Sequence, residues 1–203
     1  MQKQSERYWE PYGTFEEART FLYCRLIDPK NYAATLEQAV RKPWNDLMRV
    51  CYMQAGSAER MKITDVTRDH LKAWNVEEET VLQAAEENTR ARVTTIRNME
   101  EVLGIDPPEE GHSPLYVMTK ESGVFGAVCI TESESLHRAA EVMGERFFII
   151  PSSVHELLLL PVDDIDDSEE LNRLVRHVND TEVASHEVLT DHVYMYGPQG
   201  ISW

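Results

Sequence analysis

The sequence predicts an α+β fold, on three observations. Ahead of residue 104 the apolar residues recur mainly at helical spacing. Beyond residue 114 short apolar runs bounded by turn residues alternate with two amphipathic helices. Between them "GIDPPEEGHSP", residues 104–114, can continue neither helix nor strand. The expected layout is a mainly helical region over 1–106, then a mostly antiparallel sheet over 114–203 with helices on one face. The two regions stand either as separate parts or as one continuous domain.

Each element has its own warrant. "TFEEARTFLYCRLI" (14–27) pairs Thr14 with Glu17 as a capping box and carries Ala18, Phe21 and Leu22 at helical spacing. "NYAATLEQAV" continues with Ala33, Leu36 and Val40 on one side, while "NDLMRVCYMQAG" fits a buried strand or a short helix. "ITDVTRDHLKAWN" sets Val66, His70, Leu71 and Trp74 on one face. Asn75 and Glu78 then read as the capped start of the acidic helix "VEEETVLQAAEEN". After the break, "PLYVMTK" and "GVFGAVCI" flank "ESG" as a hairpin. Thr131 and Glu134 cap a helix with the stripe Leu136, Ala139, Ala140 and Met143, stopped by Gly144. "RFFII" and "HELLLLP" are strands, the second buried from both sides. A second helix, with Asp167 and Glu170 in capping positions, repeats the stripe offsets at Leu171, Leu174, Val175 and Val178, and "DHVYMYG" closes as a strand. That makes two strand–strand–helix units and a final strand.

Composition narrows the function classes. The chain of 203 residues has no run approaching the roughly 18 apolar residues of a membrane helix. "MQKQSERYWEPYG" has no apolar signal core, so no secretory leader is expected. Cys24, Cys51 and Cys129 are scattered, which argues against a disulfide framework or a thiolate zinc site and for a cytoplasmic location. The net charge of −16 is uneven: residues 71–110 hold 4 basic against 10 acidic side chains and residues 131–170 hold 2 against 11. Such a surface repels phosphate backbones, so direct nucleic-acid binding is disfavoured, and it suits a basic protein partner.

"RFFIIPSSVHELLLLPVDD" (146–164) holds serines, a histidine and a glutamate, the residue types of a hydrolase triad. If 154–160 is a regular strand, His155 and Glu156 point to opposite faces and cannot pair. Ser153 and His155 then share a face, but their Cα atoms lie about 6–7 Å apart. No GxSxG elbow occurs. The turn reading fits better: Pro151 ends a ladder, and Ser152 and Ser153 bond nearby backbone. A metal reading would gather His155, His177, His186 and His192 with Asp191, yet no pair has ligand spacing, and in "HELLL" Leu159 stands where HExxH needs histidine. "DDIDDSEE" (163–170) lacks the glycine and the bidentate glutamate of a calcium loop. No metal and no cofactor is expected.

"LYVMTK…GVFGAVCI", "FFIIPSSVHELLLLPVDD" and "LNRLVRHVNDTEVASHEVLTDHVYMY" resemble the C-terminal part of the bacterial family catalogued as domain of unknown function 5688. The resemblance covers about residues 77–196, through an "ILPSS-HE" segment, a "VN-TEV" helix end and a "DHVY" strand. It implies a bacterial cytosolic protein and carries no activity. The positions it picks out are Pro151, Ser152, Ser153, His155, Glu156, Asp191, His192 and Tyr194, which form the candidate site.

Three functions compete at this point. The leading one is a non-enzymatic protein-binding or regulatory module. The second is a hydrolase or metal-dependent enzyme using His155, Glu156, Asp191 and His192. The third is an acidic DNA mimic or anti-defence protein. A homodimer through an exposed edge strand at 191–196 is a further expectation.

Overall fold

Thr14 opens the first helix as predicted. Its Oγ1 accepts from the Glu17 N–H at 3.3 Å, and Glu17 Oε2 accepts from the Thr14 N–H at 3.0 Å. The helix, α1 (Phe15–Ala18), is brief. After a 3-10 turn the chain runs into strand β1 (Leu22–Ile27), where the expectation was helix. Leu22, Cys24 and Leu26 are buried and alternate with partly buried Tyr23 and Arg25. A period of two fits this apolar set, and the tertiary context selects it.

The computed structural model describes residues 13–56, 61–106, 114–162 and 168–203. The boundary prolines Pro107 and Pro108, the acids 163–167 with the Asp167 cap, and most of "MQKQSERYWEPYG" lie outside the described residues. The described residues form two compact units, one up to Arg25 with Tyr32–Arg92, the other Leu26–Asn31 with Val93–Trp203.

In the first unit α2 (Ala33–Leu36) is a single turn. It leads to β2 (Arg41–Trp44), β3 (Leu47–Ala55) and β4 (Lys62–Asp65). β3 is the centre of a four-stranded sheet: β2 pairs its first half, β4 its second, and β1 is its other neighbour. The ambiguous run 45–56 is therefore a strand, and the helix expected over 14–27 gives way to strand β1 from Leu22 on, while that expected over 31–40 is reduced to α2. α3 (Arg68–Trp74) and α4 (Glu78–Ala91) are helices as predicted. Asn75 has the opposite role to the one expected. At φ 53 it is the left-handed C-cap of α3, a conformation asparagine tolerates, and Glu77 is the N-cap of α4.

The second unit begins with β5 (Thr94–Asn98) and α5 (Met99–Leu103). It continues with β6 (Tyr116–Lys120), a 3-10 helix (Gly126–Thr131), α6 (Ser133–Met143), β7 (Phe147–Pro151), β8 (Leu157–Pro161), α7 (Ser168–Thr181), β9 (Tyr194–Gly197) and β10 (Gly200–Ser202). The sheet order is β10-β9-β7-β8-β6-β5, antiparallel throughout. The fold is α+β, and the hairpin read from 146–161 is present. The expected strand "GVFGAVCI" is instead a buried 3-10 helix, and β6 takes β5 and β8 as neighbours. Gly126 lets that segment cross β6 closely: a Cβ there would meet Thr119 Oγ1, and would lie 2.5 Å from His155 O. The strand at 194–197 is no edge, because β10 pairs it.

The register places the helices. Directly paired Met118 and Leu157 share a face, as do Leu159 and Ile149, and Lys120 lies on that face with Thr94. Ser135 of α6 and Glu132, its N-cap, bond Thr94 and Lys120, so α6 takes this side. Leu171 and Val175 of α7 pack on Phe148, Ile150 and Leu160, which face the other way. Helices thus occur on both faces rather than one, which is what a strand of four leucines requires. Glu132 also takes the N-cap slot read for Thr131, whose hydroxyl donates to Val128 O at 2.9 Å.

Candidate functional site

Residues 152–156 form the turn between β7 and β8, so His155 and Glu156 precede the strand. The alternation argument does not apply to them. Ser153 Oγ accepts the His155 N–H at 3.0 Å, the backbone bonding expected of serine in a turn. His155 is held on every side. Its carbonyl accepts from Thr119 Oγ1 at 2.8 Å, and its ring stacks on Phe125 with centroids 5.4 Å apart. Its Nδ1 accepts the Phe125 N–H at 3.1 Å, and Nε2 faces Glu187 Oε1 at 3.5 Å.

Those contacts decide the tautomer. A nitrogen receiving an N–H must present its lone pair, so the proton resides on Nε2, toward the Glu187 carboxylate. Neither ring nitrogen is left with an open lone pair to accept a proton from a nucleophile. Phe125 sits at φ 54, a left-handed conformation that a large side chain rarely adopts, and His155 pins it. The partner of His155 is Glu187, whose carbonyl also accepts the Val154 N–H at 2.9 Å, while the Glu156 carbonyl accepts the Ser153 N–H. Glu187 was not among the sequence candidates. It lies far along the chain in an irregular segment with no local signal.

The other candidates gather around different neighbours. Asp191 Oδ1 accepts from Asn179 Nδ2 at 3.0 Å. His192 packs edge-on to buried Tyr194 at 4.9 Å and stacks on Trp203 at 6.3 Å, with Nδ1 3.2 Å from Val193 O. His186 is exposed, 3.8 Å from the same Glu187 oxygen. Among the described residues no group of three His, Cys, Asp or Glu is arranged to hold a metal ion. No helix among them is long and apolar enough to cross a membrane.

A polar cluster unforeseen from the sequence lies beneath the 3-10 helix. Lys120, 2% exposed, donates from Nζ to Glu132 Oε2 at 2.7 Å and to Thr94 Oγ1 at 3.1 Å. Ser135 Oγ donates to the same carboxylate oxygen at 2.7 Å, whereas Glu132 Oε1 is buried without a hydrogen-bond partner. Burial pushes the nearby Cys129 thiol up to about 11, against the opposing pull of Lys120. It stays a thiol at neutral pH, a poor nucleophile. The cluster has the form of a buried ion pair inside a sealed core.

An open feature among the described residues is on the opposite face. A cleft of about 390 Å³ lies between α7 and the β7–β8 strands, walled by Ile150, Leu158, Leu160, Leu171, Leu174 and Val178. Ser152 and Asn179 supply its polar groups. Leu174 is 55% exposed and Val178 38% exposed. Such a volume and an apolar wall with few polar groups are the features of a binding pocket.

A family model matches residues 1–197 and is described as a family of unknown function, DUF5688. The chain belongs to this family. No curated protein and no solved structure matches it. In this DUF5688 member the segments "PSS" and "VN" contribute to the cleft lining, and "DHVY" is joined to them through Asn179. Pro151, Ser152 and Asn179 line the cleft, and Asn179 Nδ2 bonds Thr190 O at 2.8 Å as well as Asp191.

Proposed function

We propose that this DUF5688 protein is a non-enzymatic protein-binding module of the bacterial cytosol, engaging its partner through the α7 cleft. The observation that carries the reading is the exposure of Leu174 and Val178 beside an apolar cleft. Exposed apolar surface around a concavity is typical of recognition sites. The hydrolytic alternative draws no support from His155, because the Phe125 N–H takes the Nδ1 lone pair and Nε2, which then carries the proton, faces Glu187 at 3.5 Å.

A titration with the neutral dye Nile red tests the site without interference from the acidic surface. Saturable fluorescence gain at one dye per chain is expected, lost in Leu174→Asp with circular dichroism unchanged. No saturable gain, or equal gain in the variant, would refute the assignment.

A further inference from the structure

Away from the cleft, we infer that His155 is a pH-sensitive latch, which holds the start of the buried 3-10 helix while neutral and releases it on taking up a second proton. The geometry leaves the ring one protonation state compatible with the closed arrangement. Nδ1 receives the Phe125 N–H at 3.1 Å, and a proton on that nitrogen would set two N–H groups against each other. The backbone of His155 is fixed. Its N–H donates to Ser153 Oγ, its carbonyl accepts from Thr119 Oγ1, and Gly126 lies directly against that carbonyl. The segment that yields is therefore the one carrying Phe125. That residue sits at φ 54, where a bulky side chain is strained, and it is the N-cap of the 3-10 helix Gly126–Thr131. The next contact along the helix, from the Ala127 N–H to Val154 O at 3.4 Å, goes with it.

Imidazoles change charge between about pH 5 and 8. Glu187 pulls in favour of the charged ring, its Oε1 standing 3.5 Å from Nε2. That carboxylate is partly exposed and also faces His186 at 3.8 Å, so solvent screens its pull. Thr119, Ser153 and Phe125, the other side chains and amides around His155, carry no charge, and the Glu156 carbonyl is turned to the Ser153 N–H. Two opposed N–H groups in a packed turn outweigh a screened ion pair. The released form thus accepts a proton that the closed form excludes, and by linkage the closed form loses ground as the pH falls.

Amide hydrogen exchange of the full chain, followed by NMR, tests this. Protection of the Phe125 and Ala127 amides, corrected for intrinsic exchange, should fall about tenfold or more between about pH 7.5 and about pH 5.5. One linked proton shifts an opening equilibrium by up to about tenfold per pH unit. The amides of β7 and β8 should keep their protection over the same range. His155→Asn, whose Oδ1 stands in for Nδ1 and does not titrate, should hold both amides protected throughout. Glu187→Gln removes the opposing pull and should move the fall to higher pH. Unchanged protection at either amide in the unmodified chain, or an equal fall in His155→Asn, would overturn the inference. Should that variant not fold, the nitrogen chemical shift of His155 Nδ1 decides the matter. Protonation of Nδ1 in step with the loss of Phe125 protection is expected, and protonation while that amide stays protected would refute the latch.

Discussion

Helices α6 and α7 carry the same apolar offsets, Leu136, Ala139, Ala140 and Met143 in one and Leu171, Leu174, Val175 and Val178 in the other. In α6 the first, second and fourth of these are buried. In α7 the first and third are buried, while the second and fourth stand open to the cleft. The two sides of one sheet are finished differently. On the α6 side a 3-10 helix and a buried ion pair close the space, and on the α7 side a hollow remains. An amphipathic stripe states that a helix has an apolar face. It does not state how much of that face its own chain will cover.

Lys120 holds the closed side of the sheet together. Lys120→Met should destabilise the chain by about 3–5 kcal/mol in urea unfolding, because Glu132 is left buried without its cation and already has one unpartnered oxygen. A loss below about 1 kcal/mol would show that the α6 side is open to water rather than sealed. Next in size is Gly126→Ala. A Cβ 2.6 Å from Lys120 N and 2.5 Å from His155 O forces the 3-10 helix off β6, for an expected loss of about 1–3 kcal/mol and a matching drop in thermal midpoint. Wild-type stability in that variant would mean the crossing is looser than drawn. Smallest is Leu174→Asp on the α7 side, expected to leave unfolding unchanged within about 0.5 kcal/mol while abolishing Nile red binding. A large stability loss there would place Leu174 in the core and remove the contrast.

How far the sequence could be read follows the same division. Local chemistry was legible. The Thr14–Glu17 capping box, the Gly144 stop at φ 90, and Ser153 bonding the turn at 152–156 all act within a few residues. The strands of the first unit were not, because "FLYCRLI" satisfies both a helical and a two-residue period. Only pairing with β3 chooses between them. The turn read at "PSS" is present, but the surroundings of His155 there differ from those predicted. Side-chain alternation was expected to separate His155 from its neighbour. What occupies the imidazole is an amide of residue 125 and a carboxylate of residue 187, brought in from distant parts of the chain.

By itself the sequence determined the α+β class, the Thr14–Glu17 capping box, the Gly144 stop, the β7–β8 turn and the acidic character, because each depends on residues close together or on composition alone. The tertiary structure decided that α6 and α7 lie on opposite faces, that Lys120 finds Glu132, and that α7 leaves a hollow. These depend on which apolar surfaces meet. Burial is non-directional, so a stripe of leucine and valine is equally satisfied by its own sheet or by another molecule.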